Sequence, residues 1–409
     1  MNSYNAFLEK LLLPSGDVFL KTSFMKDLRL WRRWEHLDHE SVGRLCRRKL
    51  LDLLTYASIS VPFYRSMIDN HQKDPEIWLQ QFPVMYKSDI NDHIHEMING
   101  NREKLVCETS SGSSGIQGAV YMTRKEQYSA IATQTFLWEW SGYKLGNNIL
   151  QLGMTTNRGW LKKCKDILLR TEYQQAFKIN NEEACQALER FVSIPGFMGG
   201  YASGLYAYAC MAEELNIKPH FISVISWGDK MFPHFREKIE EQFNTKVFDT
   251  YGATEGFIIA GQCEFGNYHI LTPNVYLELL DKDGVEVAPG ELGYVVVTRL
   301  DAYAMPLIRY YLGDLAIKMD TKEKCMCGKP FPMLEKIVGR DTDIVRTKSG
   351  KYLIVHFFTG IFEHIKEIEQ FRVIQNNLDG IIIEYIPRII FYNQILNNIK
   401  IQIQQYIQE

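Results

Sequence analysis

Apolar residues are spaced at three and four along the first hundred positions, notably over Leu45–Tyr56 and Trp78–Phe82. That spacing predicts amphipathic helices, punctuated near Pro62 and Pro83. From about Leu105 the pattern changes to short apolar runs alternating with helical stretches. Asn148–Gly153 and Phe221–Ser226 read as buried strands, and Tyr206–Leu215 and His234–Phe243 as the helices between them. Such alternation predicts an α/β layer with parallel strands. Near Tyr268 the texture shifts again. Val275–Leu280 runs into the turn Asp281-Lys282-Asp283-Gly284, and Gly293–Thr298 follows, which predicts a hairpin in a smaller antiparallel sheet or barrel. After Gly339, the pieces Phe371–Gln375 and Gly380–Tyr385 look strand-like, and a helix is expected from about Ile390.

The expected organisation is a large domain over residues 1–339 and a small α+β domain over 340–409. The large domain divides into a helical start (1–104), an α/β core of mainly parallel sheets flanked by helices (105–262), and a β-rich segment (263–339). No repeat at solenoid or propeller spacing is visible. With 409 residues, 46% hydrophobic and 12% aromatic, the chain has the composition of a globular enzyme. Its net charge of −3 gives no reason to expect nucleic acid or an anionic membrane as the main partner. The first twenty residues, interrupted by Glu9, Lys10 and Asp17, do not read as a signal peptide, and no run reaches membrane-spanning length. Eight cysteines without a regular framework point to a reducing cytoplasm.

The most informative segment is Thr109-Ser110-Ser111-Gly112-Ser113-Ser114-Gly115-Ile116-Gln117-Gly118. Glycines let a backbone turn sharply and expose its N–H groups, and the hydroxyls add donors, so such a turn can wrap a polyphosphate. It lacks the Gly-Lys-Ser/Thr ending of a P-loop, and a flexible Ser/Gly linker is the other reading. Three segments follow it in order: Asp249-Thr250-Tyr251-Gly252-Ala253-Thr254-Glu255, Arg309-Tyr310-Tyr311-Leu312-Gly313-Asp314, and Gly339-Arg340-Asp341-Thr342-Asp343. Taken singly, Tyr251 could merely pack, Glu255 could favour a helix dipole, and Arg340 could pair with a carboxylate at a domain joint.

Taken together, the four segments resemble the adenylate-forming superfamily of acyl–CoA synthetases. Val61-Pro62-Phe63-Tyr64-Arg65 and Phe82-Pro83-Val84-Met85-Tyr86-Lys87 extend the resemblance to its phenylacetate–CoA ligase-like branch, which includes capsule-biosynthesis members. The likeness spans roughly residues 40–385. It implies an ATP-dependent ligase that forms an acyl-adenylate and passes the acyl group to CoA. By that resemblance Ser110, Ser111, Gly112, Ser113, Ser114 and Gly115 grip the β- and γ-phosphates. Tyr251 lies on the adenine, with Gly228, Asp249 and Gly252 in the same nucleotide site. Thr254 donates to the α-phosphate, Glu255 holds magnesium, Asp314 accepts from the ribose hydroxyls, and Arg340 lies near ribose or phosphate. Thr254, Glu255 and Arg340 are the expected catalytic residues.

A second constellation is metal-like. Cys325-Met326-Cys327-Gly328 is a tight Cys-X-Cys turn, and Cys263 and His269 precede it beyond the hairpin. Thiolate and imidazole in that mix suit tetrahedral zinc, and the position resembles a zinc site in some members of the branch. A closed set of four ligands would be structural. Cys46, Cys107, Cys164, Cys185 and Cys210 are expected to lie inert in apolar surroundings. The acyl pocket is expected among Trp138, Trp140, Tyr143, Met154, Trp160, Phe197, Tyr201 and Trp227, an aromatic-rich set that would fit a flat acid.

The chain also departs from the family. Ile116 and Gln117 stand where a lysine usually follows the phosphate loop, and Thr342 stands where the hinge usually has an acid. The last lysine, Lys400, has no glycine before it, and Gly350-Lys351 sits beside the hinge, so the usual C-terminal adenylation lysine has no counterpart. Three readings follow. One is a CoA ligase that borrows a cation such as Lys87, Lys230 or a partner's lysine. Another is amide-forming transfer to an amine or amino sugar in surface-polysaccharide assembly. The third is a nucleotide-binding relative without turnover. A homodimer is the default expectation for such an enzyme.

Overall fold

The computed structural model describes residues 3–407 apart from 66–72, 110–117, 155–158, 178, 254, 321–322, 342–343, 347–351, 355–357, 359–360, 363–364, 366 and 388–392. They cluster into two compact units: Met1–Leu312 with Ile317–Lys336, and Gly313–Ala316 with Ile337–Glu409.

The large unit starts as helices. An unbroken helical run is formed by α1 (Ser3–Phe7), a π-helical turn (Leu8–Leu12) and α2 (Leu13–Leu20). Helix α3 (Phe24–Trp34) packs Trp31 against Phe136 of α8 (Arg124–Glu139), with ring centroids 5.2 Å apart. Helix α4 (His39–Ser60) begins where Asp38 accepts from the Ser41 N–H at 2.6 Å and ends ahead of Pro62. Its buried Val42, Cys46, Leu50, Leu53 and Ala57 recur at helical spacing, as the apolar pattern predicts. Helix α8 opens on a capping box between Thr123 and Glu126, and Glu126 Oε1 also accepts from the Tyr303 and Ala304 N–H groups at 2.6 and 3.0 Å. A helix start is thereby tied to a distant loop.

Five strands are parallel: β3 (Ile149–Gly153), β4 (Thr171–Gln175), β5 (Gly196–Tyr201), β6 (Phe221–Trp227) and β7 (Val247–Ala253), in the order β4-β3-β5-β6-β7. Helices α10 (Asn181–Ser193), α11 (Ala202–Glu214) and α12 (Pro233–Phe243) contribute Leu188, Leu205 and Ile239 to the core beside Leu150, Met198 and Val224. Pairing changes sign at β7. It runs antiparallel to β8 (Phe257–Gln262), which is followed in the sheet by β9 (Tyr268–Ile270), β13 (Met333–Arg340), β12 (Tyr310–Lys318), β11 (Leu292–Arg299) and β10 (Val275–Leu280). The expected hairpin is β10–β11. Rather than forming a separate small sheet, it ends an eleven-stranded one. The reason is β7, whose two edges bond to a parallel and an antiparallel neighbour.

In the small unit β14 (Ile344–Arg346) pairs with β15 (Tyr352–Ile354) and β16 (Ile368–Asn377) with β17 (Gly380–Pro387). Helix α13 (Asn393–Ile407) presents Ile399 and Ile403 to a core containing Val345, Leu353 and Phe362, the last stacked on Phe371 at 4.1 Å. This is an α+β arrangement. Among the described residues no helix is long and apolar enough to cross a membrane.

Candidate functional site

Ser110, Ser111, Gly112, Ser113, Ser114 and Gly115 lie outside the described residues, as does Thr254. The flanks of the serine–glycine segment are ordered: β1 (Val106–Thr109) runs antiparallel to β2 (Ala119–Met122), with Thr109 opposite Ala119.

The Tyr-Gly segment occupies the end of β7, where the sheet changes from parallel to antiparallel. Ligands in α/β sheets favour the carboxyl ends of parallel strands, and the segment lies at that end of β7. Gly228, just beyond β6, has φ +87°, and a Cβ there would sit 2.4 Å from the Tyr201 ring, so the chain can turn here only as glycine. Tyr251 is half-buried opposite Ala260, and Gly252 is exposed.

Asp249 faces inward. One carboxylate oxygen accepts from the Ser226 hydroxyl and the other from the Tyr268 hydroxyl. Burial pushes its carboxyl above the ordinary value, opposed by those two hydroxyls. Gln262 Oε1 accepts from the Asp249 N–H at 3.3 Å and from Arg236 Nη2 at 2.6 Å, so the strand is held from both faces. These oxygens already have donors within the protein.

Glu255 is buried in the turn joining β7 to β8, where Tyr310 O–H donates to its Oε1 at 3.2 Å. The Tyr310 ring lies parallel to Phe257, with centroids 5.9 Å apart. The next residue, Gly256, has φ +82°, and a Cβ there would be 2.4 Å from Arg299 Nη1. Arg299 is itself fixed by Asp301 at 2.8 Å and by the Glu126 carbonyl at 3.2 Å. A rigid bed of charge therefore underlies the turn that presents Glu255. Gly228, Asp249, Tyr251, Gly252 and Glu255 are thus carried by the neighbouring ends of β6 and β7 in the large unit.

Asp314 and Arg340 belong to the small unit. Arg340 Nε lies 3.3 Å from Asp314 Oδ1, with the carboxylate side chain 11% exposed and the guanidinium half exposed. A buried carboxylate is thus paired with a guanidinium that solvent still reaches.

Cys263, His269, Cys325 and Cys327 place their ligand atoms within 4.8 Å of one another. Cys263 directly follows β8, a turn closed by Gly266 N–H to Cys263 O at 2.9 Å leads into β9, and His269 pairs with Met333 of β13. The cysteines on the chain leading to β13 arrive at the same point. Cys263 Sγ is 3.6 Å from Cys325 Sγ, and Cys327 Sγ is 3.2 Å from His269 Nε2. His269 Nδ1 bonds the Phe331 carbonyl at 3.0 Å, which leaves Nε2 facing the sulfurs, the orientation of a metal-ligating imidazole. Burial lowers the pKa of His269 and raises that of Cys263, and burial also pushes Cys327 up to about 12. Cys325 moves down: against the effect of burial, the Asn267 amide at 3.2 Å and the neighbouring donors favour its thiolate. Neutral imidazole and three crowded sulfurs match the donors of a tetrahedral thiophilic cation.

The aromatic candidates disperse. Trp138 stacks on Trp227 at 5.1 Å, beside buried Tyr143 and Phe197. Trp140 belongs to a different core with Phe136 and Phe331, and Tyr201 is half-buried against a third. Met154 and Trp160 are 63% and 72% exposed. Cys107 and Cys164 are exposed as well, contrary to the apolar surroundings expected for them. The edge strand β1 and the polar α9 (Trp160–Leu168) leave them uncovered.

Three contributors were not anticipated: Tyr310 as donor to Glu255, Tyr268 as donor to Asp249, and the buried Arg309–Glu278 pair. Arg309 has φ +52°, lies 3.0 Å from Glu278 and donates to the Phe82 carbonyl at 2.9 Å. A lone glutamate in the apolar run Val275–Leu280 was the available signal.

No protein-family model matches the chain. It is 25% identical over 332 residues to phenylacetate–coenzyme A ligase of Thermus thermophilus, covering 76% of this chain and 73% of that protein. It is 21% identical over 394 residues to protein CapK of Staphylococcus aureus, covering 92% and 85%. The solved structure of 2-hydroxyisobutyryl-CoA ligase in the postadenylation state with R3-HIB-AMP matches with a TM-score of 0.73 at 17% identity, over 92% of this chain and 85% of that one. ATP-bound MatB from Rhodopseudomonas palustris matches at 0.53, over 75% and 63%. By fold and motif order the chain is thus similar to the adenylate-forming (acyl-CoA synthetase) superfamily, and by sequence to proteins of its phenylacetate–CoA ligase-like branch.

Proposed function

We propose that this protein is an ATP-dependent, AMP-forming ligase that activates a carboxylic acid and transfers the acyl group to coenzyme A. The observation that carries the reading is the buried Glu255 carboxylate, held by Tyr310 immediately after the Tyr251 strand. Its relatives' names point the same way: two are phenylacetate–coenzyme A ligases.

In the first step a carboxylate oxygen attacks the α-phosphorus of ATP, the bond to the β-phosphate bridging oxygen breaks, and pyrophosphate leaves. In the second the CoA sulfur attacks the acyl carbon, its proton is lost, and AMP departs. Both steps concentrate negative charge on phosphate oxygens, so the protein's task is to position groups and stabilise that charge. Tyr251 offers a flat face to adenine between Gly228 and Gly252. Ser110–Gly115 supply N–H and hydroxyl donors to the β- and γ-phosphates, and Thr254 a hydroxyl to the α-phosphate. Glu255 is the ligand for magnesium, which when bound neutralises phosphate charge. Asp314 accepts from the ribose hydroxyls and Arg340 holds ribose or phosphate. Asp249, its oxygens taken by Ser226 and Tyr268, serves the nucleotide by fixing the strand under Tyr251.

The half-buried Trp138–Trp227 stack near the end of β6 favours a flat, aromatic acid. Cys263, His269, Cys325 and Cys327 hold structural zinc, which when bound locks the β8–β9 turn to the chain entering β13. Pyrophosphate release is tested against aromatic and aliphatic acids, then with CoA or an amine added. A CoA thioester supports the reading. An amide formed without CoA replaces it with amine transfer, and nucleotide binding without pyrophosphate release removes it.

A further inference from the structure

The outer face of the N-terminal helices carries apolar side chains that a soluble surface rarely displays together. Along the helical run from α1 to α2, Phe7 is 47% exposed, Leu11 59%, Val18 80% and Phe19 86%. The first half of the run is seated on the protein through buried Asn5, Leu8 and Glu9, whereas no residue of α2 is buried. The exposed apolar side chains therefore belong to a helical run anchored at its start. Contiguous apolar surface of this kind marks an interaction site rather than random exposure.

The surroundings are cationic. A groove of about 420 Å³ runs from Pro14 and Val18 to Lys26, Arg29 and Arg33, and Arg33 also lines the adjoining groove of about 580 Å³ that reaches Arg44 and Arg48. Lys21, Lys26, Arg29, Arg33 and Arg48 are exposed and have no carboxylate ion-pair partner among the described residues. The nearby acids are occupied. Asp17 accepts from the N–H groups of Phe24 and Met25 at 3.0 and 2.7 Å, Asp38 caps α4, and Glu40 is paired with Arg44. The whole chain is weakly acidic at −3, so this excess is local.

We propose that this face docks the protein on an anionic lipid surface, with Val18 and Phe19 entering the headgroup–acyl boundary and the α3–α4 cations lying over lipid phosphates. An outward apolar stripe flanked by lysine and arginine is the combination that binds an interface without spanning it. Charge argues against a second copy of the chain, because a two-fold contact through this patch would set the cations against their own equivalents. Apolar exposure argues against a nucleic acid, which would leave the aliphatic side chains of Leu11 and Val18 without a partner.

The test is co-sedimentation of the full chain with vesicles of phosphatidylcholine alone or mixed with phosphatidylglycerol. The expected result is sedimentation with the anionic vesicles that salt reverses and the neutral vesicles do not reproduce. R33E/R48E should weaken partitioning about a hundredfold and V18S/F19S about tenfold, with thermal melting unchanged in both. A fluorescent probe at position 19 (F19C) should report an apolar environment only with anionic vesicles. No sedimentation overturns the proposal, as does binding that neither double variant weakens. Self-association abolished by V18S/F19S in the absence of lipid would assign the face to a second copy instead.

Discussion

Glu255 and Tyr310 meet at 3.2 Å although they lie 55 positions apart in the sequence, and that hydrogen bond fixes the carboxylate that the proposed function assigns to magnesium. Glu255→Gln keeps the shape and removes the charge, so acid-dependent pyrophosphate release should fall about a hundredfold or more while the melting temperature holds. Tyr268→Phe acts differently. It leaves one buried oxygen of Asp249 without its donor and should cost about 1–3 kcal/mol in denaturant unfolding. If Asp249 fixes the strand under Tyr251, the same change should raise KM for ATP more than it lowers kcat. Part of the candidate site was legible beforehand. Tyr251 and Glu255 stand out because of residue type and order, and the structure sets them at the end of β7 and in the turn after it, whereas the serine–glycine run lies outside the described residues. Tyr268 and Tyr310 do not, because an aromatic among apolar neighbours looks the same whether it packs or donates a hydrogen bond.

The elements show the same division. Strands β3 and β6 are apolar runs buried on both faces, and β10–β11 alternates around a strong turn, so pattern alone finds them. Strand β5 contains three glycines, and β4 reads Thr-Glu-Tyr-Gln-Gln with every residue half-buried at a sheet edge, so hydrophobic periodicity passes over both. The joining of parallel and antiparallel halves through β7 is likewise absent from any local pattern. Two elements meet at the buried Arg309–Glu278 pair. Arg309→Met should destabilise by about 3–5 kcal/mol because it strands the Glu278 charge, and adding Glu278→Leu should recover most of that loss. Chemical denaturation of the single and double variants checks both. At the cysteine cluster, metal analysis of protein purified without chelator should find about one zinc per chain, and Cys327→Ser should lower that content. Stripping the metal should lower the melting temperature of the wild type by several degrees.

At the scale of the molecule, the large unit carries Tyr251 and Glu255, and the small unit carries the Asp314–Arg340 pair. Arg340 is the guanidinium that the proposed mechanism sets against ribose or phosphate, so Arg340→Ala should slow the AMP-forming step at least about tenfold. The measurement that bears most directly on the central claim is acid-dependent exchange of labelled pyrophosphate into ATP by the wild type and by Glu255→Gln. The account predicts exchange with at least one flat carboxylic acid and its loss in the variant. Tight ATP binding with no exchange across aromatic and aliphatic acids, or exchange that Glu255→Gln leaves intact, would contradict it.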